Sequence, residues 1–233
     1  MKVLENYVDS KKVKQPSHPL WWFDINFKDS FEIFDLDNFY PEEYFTSEDP
    51  FPVDSVVDNY YNSITSIYSD LTDSKVGSIL EVGTSKGWFT KKFHDNGIDI
   101  VGLEGTEYGI KECIKYGIPE NILKRQDFRK RFDLKRKFDL VICTEVAEHV
   151  EPCFSSTLVE NIISHGDIVW FSSVQPYTNS PHYHHPNEQP NKFWINIFDY
   201  FGYGFIEIPI EVSASIYGRG THIYYNKKVY ENF

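Results

Sequence analysis

Two carboxylates and an imidazole stand close together in Thr144-Glu145-Val146-Ala147-Glu148-His149-Val150. Wound into a helical turn, Glu145, Glu148 and His149 occupy positions i, i+3 and i+4 and share one face, at about 100° per residue. Such a face can bind a divalent cation: carboxylate oxygens suit Mg²⁺ or Mn²⁺, and imidazole tolerates Mn²⁺, Fe²⁺ or Zn²⁺. The same side chains can equally brace a loop or line a ligand without any metal. Further on, Pro181-His182-Tyr183-His184-His185-Pro186-Asn187-Glu188-Gln189-Pro190 supplies more imidazoles, of which His182 and His184 read as exposed loop residues. Upstream, Glu81-Val82-Gly83-Thr84-Ser85-Lys86-Gly87 places glycines at both ends of a short loop. Glycine lets the backbone turn tightly there and approach a ligand closely. Thr84 and Ser85 after the first glycine rule out the G-x-G-x-x-G dinucleotide fingerprint, and the G-x-x-x-x-G-K-[ST] of a P-loop is absent from this loop.

The elements carrying these groups alternate. Buried-strand patterns at 79–82, 98–103, 122–125, 138–143 and 168–172 interleave with helical patterns at 88–96, 108–116, 154–164 and 192–201. That alternation predicts a parallel sheet covered by helices on both faces. Runs at 205–212 and 221–230, around Tyr217-Gly218-Arg219-Gly220, predict a closing β-hairpin. Before the first strand, Val56, Val57, Tyr60, Tyr61, Ile64, Ile67 and Tyr68 mark one helical face over 53–71. In open α/β sheets the loops at the C-terminal strand ends border the ligand crevice. The glycine loop, the 144–150 segment and the 181–190 loop are therefore predicted to meet. Glu104 ends the second strand about twenty residues past the first, where an acid commonly holds a ribose diol. Residues 1–50 are rich in Pro, Asp and aromatics and predict short strands or irregular structure. The expected organisation is an N-terminal extension or cap over 1–52 and a main domain over 53–233. Trp21, Trp22, Phe23, Tyr40, Tyr44 and Phe45 either line an acceptor cleft or fill the core.

Glu81, Gly83 and Gly87, followed by Glu104 and Asp127 after successive strands, resemble the class I S-adenosyl-L-methionine-dependent methyltransferases over roughly residues 55–230. The resemblance implies a Rossmann-like α/β fold: a mostly parallel seven-stranded sheet, helices on both faces and a terminal β-hairpin. It implies that Glu81, Gly83, Thr84 and Gly87 surround the amino-acid end of S-adenosyl-L-methionine. Glu104 would hold the ribose hydroxyls, and Asp127 with Phe128 would contact adenine. The 145–149 motif is similar to the E-x-x-E-H of small-RNA 3′-terminal 2′-O-methyltransferases, which add a distant histidine to bind a catalytic cation. The H-x-N-E-Q-P-x-x-F-W pattern resembles methyltransferase domains associated with glycan and nucleotide-sugar modification, in which His185 is the matching histidine.

Those resemblances imply a ligand set of Glu145, Glu148, His149 and His185 around Mg²⁺ or Mn²⁺; a metal-free site with His149 or His185 as base stands beside it. A sugar hydroxyl is a poor nucleophile at neutral pH, whereas an amine mainly needs to be neutral. A Glu/His constellation therefore favours oxygen methylation, with Glu145, His149 and His185 as the catalytic candidates. The expected acceptor is a sugar or glycan hydroxyl or another small molecule. Two alternatives remain open: a ribose 2′-O-methyltransferase acting on a short RNA end, and a cofactor-binding module without turnover.

The formal net charge of −12 over 233 residues disfavours a broad nucleic-acid surface. One basic stretch, Lys124-Arg125-Gln126-Asp127-Phe128-Arg129-Lys130-Arg131 with Lys135-Arg136-Lys137, reads as a solvated loop and helix face. Cys113, Cys143 and Cys153 are odd in number and lack C-x-x-C spacing, so they read as reduced and structural. No run is long enough to span a bilayer and no secretory h-region is visible, which makes a cytoplasmic protein without membrane contact the expectation.

Overall fold

The computed structural model of this chain describes residues 35–46, 54–176, 185–208 and 221–230. Trp21, Trp22, Phe23, His182, His184 and the turn at 217–220 lie outside those residues. Two short helices come first, α1 (Leu36–Phe39) and α2 (Glu42–Thr46), then the long α3 (Asp54–Thr72). The body follows as β1 (Ser78–Val82), α4 (Trp88–Asp95), β2 (Asp99–Glu104), α5 (Glu107–Lys115), β3 (Leu123–Arg125) and β4 (Leu140–Thr144). It closes with α6 (Ser155–Ser164), β5 (Ile168–Ser172), α7 (Asn191–Tyr200), β6 (Tyr203–Glu207) and β7 (His222–Asn226).

The sheet runs β3-β2-β1-β4-β5-β7-β6. Its first five strands are parallel, whereas β7 lies antiparallel to both β5 and β6. Every residue of β5 is buried, as a strand covered on both faces requires. Alternate residues of the strands feed two cores. Leu80, Val82, Val141, Cys143, Val169 and Phe171 pack with Leu158, Trp194 and Phe198 from α6 and α7. Ile79, Ile142, Ile168 and Trp170 pack with Tyr60, Ile64 and Phe93 from α3 and α4 on the opposite face. The strand order reverses between β1 and β4, so the crevice opens at the C-terminal ends of those two strands. The Rossmann-like α/β expectation, the helices on both faces and the terminal antiparallel pair all hold.

Residues 36–46 differ from the strand or irregular structure expected of them. Asp35 caps α1 by accepting the Asp37 N–H at 3.0 Å, and Asp37, Glu42 and Glu43 supply acids to the first turns. Acids at those positions complement the helix dipole and outweigh the absence of an apolar period. Tyr40 and Phe45 are buried, whereas Tyr44 remains exposed. The three cysteines are buried. Among the described residues, no helix is long and apolar enough to cross a membrane.

Candidate active site

The glycine loop leaves β1 and bends across the end of β2. Gly83 N–H and Thr84 N–H both donate to Leu103 O, at 2.8 and 3.0 Å, and Gly87 N–H donates to Thr84 O at 2.8 Å. Gly83 and Gly87 are left-handed, with φ of 84° and 83°. A Cβ on Gly83 would stand 2.3 Å from Val146 Cγ2, and one on Gly87 would stand 2.2 Å from Ile118 Cδ1. Conformation and space thus both demand glycine. Thr84 is buried, with its hydroxyl 3.4 Å from Cys113 Sγ. Glu104 lies at the same end of the sheet. Its Oε2 accepts the Ser85 N–H at 3.0 Å, while Oε1 accepts from the Thr106 N–H at 3.0 Å and the Thr106 hydroxyl at 2.9 Å.

Glu81 is buried in β1 and accepts the Thr90 hydroxyl. Burial pushes its pKa from the ordinary 4.5 up to about 8; the Thr90 hydrogen bond opposes the shift and the Glu104 charge adds to it. A carboxyl whose folded pKa exceeds its unfolded one stabilises the fold fully below the unfolded value, and that contribution is lost as pH rises through the folded value. The cofactor-free Glu81→Gln variant is therefore expected to gain in melting temperature relative to the parent chain as pH rises from about 5 to about 8. Thermal unfolding at several pH values checks this; parallel curves for the two proteins would contradict it.

Asp127 and Phe128 follow β3 as expected, but the Asp127 carboxylate is already engaged. Arg129 donates to it from its backbone N–H at 3.0 Å and from Nε at 2.9 Å, and reaches Glu151 Oε1 at 3.4 Å. Phe128 is buried in the core. The adenine role of this pair rests on the resemblance alone.

The acidic-histidine segment does not form the continuous helical face that its spacing suggests. Glu145 takes a left-handed φ of 54° directly after β4. Its N–H donates to Ser172 O at 3.1 Å, and its carboxylate accepts the Ser172 hydroxyl at 2.7 Å. A separate 3-10 turn then covers Ala147–His149. The consequence is a different partition of the four candidates. Glu148, His149 and His185 bring one ligand atom each to within 4.8 Å of one another, a group that omits Glu145. The two imidazole rings meet edge-on, with centroids 4.6 Å apart. Glu145 stays beside this group as a neighbouring charge. Burial raises the Glu148 pKa well above the carboxylate range, and the Glu145 charge adds to that rise. Burial also lifts Glu145 to about 6, opposed by its Ser172 hydrogen bond. Glu148 Oε2 is buried and has no hydrogen-bond partner among the described residues.

Three residues that spacing did not single out hold this cluster together. Asn187 is fully buried and ties the 185–190 loop to the 3-10 turn. Its N–H donates to Glu148 O at 3.1 Å, and its Nδ2 donates to Ala147 O at 3.2 Å and Ser155 Oγ at 3.0 Å. Glu188 Oε1 lies 3.2 Å from His185 Nδ1. Tyr40 Oη lies 3.2 Å from His149 Nδ1. The Asn-Glu pair after His185 was the available sequence signal for the first two; nothing local marks Tyr40. His165 and His222 are buried elsewhere, His165 donating from Nδ1 to Asn161 O at 2.6 Å and accepting the Leu134 N–H on Nε2 at 2.9 Å.

The basic stretch is largely neutralised by acids of this chain. Arg125 pairs with Asp37, Arg129 with Asp127, Arg131 with Glu160, Lys135 with Asp133, Arg136 with Asp99 and Lys137 with Asp167. Exposed pairs add little stability, yet they reduce the positive field a polyanion would meet.

Residues 57–165 match the methyltransferase domain family. With the strand order above, that match places a methyltransferase domain on a Rossmann-like, class I methyltransferase fold. Its fold is shared by DesVI of Streptomyces venezuelae, 15% identical over 84% of this chain and 99% of that one, with a TM-score of 0.61. The plantazolicin methyltransferase BpumL, solved with a pentazolic desmethylPZN analog and SAH, is 13% identical over 88% of this chain and 92% of its own, with a TM-score of 0.56. The methyltransferase domain of a bacterial Hen1 is 13% identical over 72% of this chain and 97% of that one, with a TM-score of 0.52. At these identities the likeness is one of fold. No curated protein sequence matches the chain.

Proposed function

We propose that this chain is an S-adenosyl-L-methionine-dependent O-methyltransferase acting on a sugar or glycan hydroxyl, with a divalent cation held by Glu148, His149 and His185. The observation that carries the reading is the convergence of those three side chains next to the glycine loop, whose Gly83 abuts Val146 of the same turn. The residues fit both groups. Gly83 and Gly87 let the loop turn left-handed and close against Val146 and Ile118 at the end of β1, and Glu104 is an acid one strand away. BpumL and DhpI, which share the fold, were solved with SAH. For the cation, one carboxylate and two imidazoles form a mixed donor set open to Mn²⁺, Fe²⁺ or Zn²⁺, and Glu148 Oε2 is a buried acceptor without a partner among the described residues.

S-adenosyl-L-methionine, when bound, supplies a methyl group on a sulfonium, and a divalent cation would acidify a coordinated hydroxyl. The chain's own residues orient and deprotonate. Asn187 fixes the distance between the His185 loop and the Glu148 turn, so the acceptor site is formed before substrate arrives. Glu145, beside the cluster, takes the acceptor's proton as the oxygen–methyl bond forms and the methyl–sulfur bond breaks. Its pKa of about 6 suits a proton acceptor near neutral pH. The neutralised basic stretch and the net charge of −12 favour a neutral acceptor over a short RNA end.

A second reading is favoured by the contact between His185 Nδ1 and Glu188 Oε1 at 3.2 Å. A carboxylate that orients an imidazole makes His185 a general base without metal. Chelation separates the two. With labelled S-adenosyl-L-methionine and a panel of sugars, glycans and amines, strong chelation is expected to abolish transfer to a hydroxyl, and Mn²⁺ or Mg²⁺ to restore it. Transfer that survives chelation but is lost in His185→Ala would support the metal-free base. Exclusive transfer to amines would overturn both.

A further inference from the structure

The segment carrying α1 and α2 lies outside residues 57–165, yet it is fastened to both halves of the site. At the cofactor end, Asp37 Oδ1 accepts the Glu107 N–H that opens α5, and Asp37 Oδ2 accepts from Arg125 at the end of β3, each at 2.7 Å. Leu36 Cδ1 comes within 3.0 Å of where a Cβ on Gly105 would stand, immediately after Glu104. At the other end, Tyr40 packs edge-on to His149, with ring centroids 5.8 Å apart, and presents its hydroxyl to Nδ1 at 3.2 Å. The segment thus spans from the acid that faces the glycine loop to an imidazole of the Glu148-His149-His185 cluster.

We infer that Tyr40 is a positioning residue of the cation site, its hydroxyl accepting the His149 Nδ1–H and so presenting Nε2 as the ligating nitrogen, on a strap that Asp37 anchors. This rests on the cation reading above. A ligating histidine usually passes its other N–H to a fixed acceptor, which sets the tautomer and the ring orientation. His185 has such a partner in Glu188, and Tyr40 supplies the corresponding one to His149. A merely structural tyrosine would need only its ring, because the edge-on packing against His149 and Tyr44 involves no hydroxyl.

The test is a Mn²⁺ titration of the full chain followed by the electron paramagnetic resonance signal of unbound Mn²⁺. Calorimetry with S-adenosylhomocysteine and a thermal unfolding curve accompany each variant. Tyr40→Phe is expected to weaken Mn²⁺ binding about ten- to hundredfold, with S-adenosylhomocysteine affinity and unfolding unchanged. Asp37→Ala, which leaves every cluster side chain in place, is expected to weaken Mn²⁺ binding by less than Tyr40→Phe does, and keeps the inference testable should Tyr40→Phe fail to fold. Parent-like Mn²⁺ affinity in folded Tyr40→Phe, or in Asp37→Ala where Tyr40→Phe does not fold, would overturn this inference and leave the cation reading standing. A parent chain that binds no Mn²⁺ would overturn both.

Discussion

Glu148→Gln is expected to lose cation binding and about a hundred- to ten-thousandfold in methyl-transfer rate while remaining folded. The reason lies in what surrounds the carboxyl. Glu148 is 1% exposed, and one of its oxygens meets no donor among the described residues. Burying a carboxyl with an unsatisfied atom works against stability. The stabilising side of this side chain is thus small, and glutamine, of nearly the same shape, keeps the packing. What glutamine loses is a carboxyl that, on giving up its proton, becomes the anionic oxygen donor proposed for the cation beside two imidazoles. Stability and function therefore pull in opposite directions at this position, as they commonly do at active sites. Initial rates, Mn²⁺ titration and thermal unfolding on the same preparation measure all three quantities. A folded Glu148→Gln protein with parental rate and parental Mn²⁺ binding would contradict the prediction.

Gly83→Ala is expected to destabilise the chain by roughly 2–4 kcal/mol, combining left-handed strain with overpacking, and to reduce S-adenosylhomocysteine affinity about tenfold or more for a lost 1.4 kcal/mol of binding. The new methyl group would fall 2.3 Å from Val146 Cγ2, at a φ of 84°. Val146 stands two residues before Glu148, so any shift that relieves the clash also moves the cluster. Gly97 provides the control. It has a φ of 81°, but a Cβ there meets nothing within 4 Å. Gly97→Ala should therefore cost only the backbone strain, about 1–2 kcal/mol, and leave cofactor affinity intact. Denaturant unfolding and calorimetry read the two effects. Equal affinity losses at both glycines would show that Gly83 is not special to the ligand.

Much of this molecule was legible in the sequence because the relevant signals are local. Apolar runs of strand length separated by helical periods located five parallel strands, and the observed β5 spans the predicted Ile168–Ser172. The position of Glu104 follows from strand length alone, since the residue closing β2 must stand at the crevice. The candidate site was less legible where local conformation or distant pairing decides. A helical period placed Glu145 with Glu148 and His149, but left-handed Glu145 is drawn to Ser172, 27 residues away, and leaves that face. Tyr40 meets His149 across 109 residues, a pairing that no period encodes. Asp127 was read by its place after β3, while its carboxylate is held by Arg129 two residues on, a side chain that could equally have pointed to solvent. Asn187 lay in a motif without an assigned role until its bonds to Ala147 and Ser155 showed it joining two loops.

Calorimetric titration of the purified chain with S-adenosylhomocysteine addresses the foundation on which every residue role here depends. A crevice bordered by the Gly83–Gly87 loop and by Glu104 should give saturable binding at one site per chain, weakened in Gly83→Ala and retained in Gly97→Ala. Absence of any saturable heat from the folded parent protein would mean that this crevice does not hold the nucleoside, and the methyl-transfer reading would fall with it.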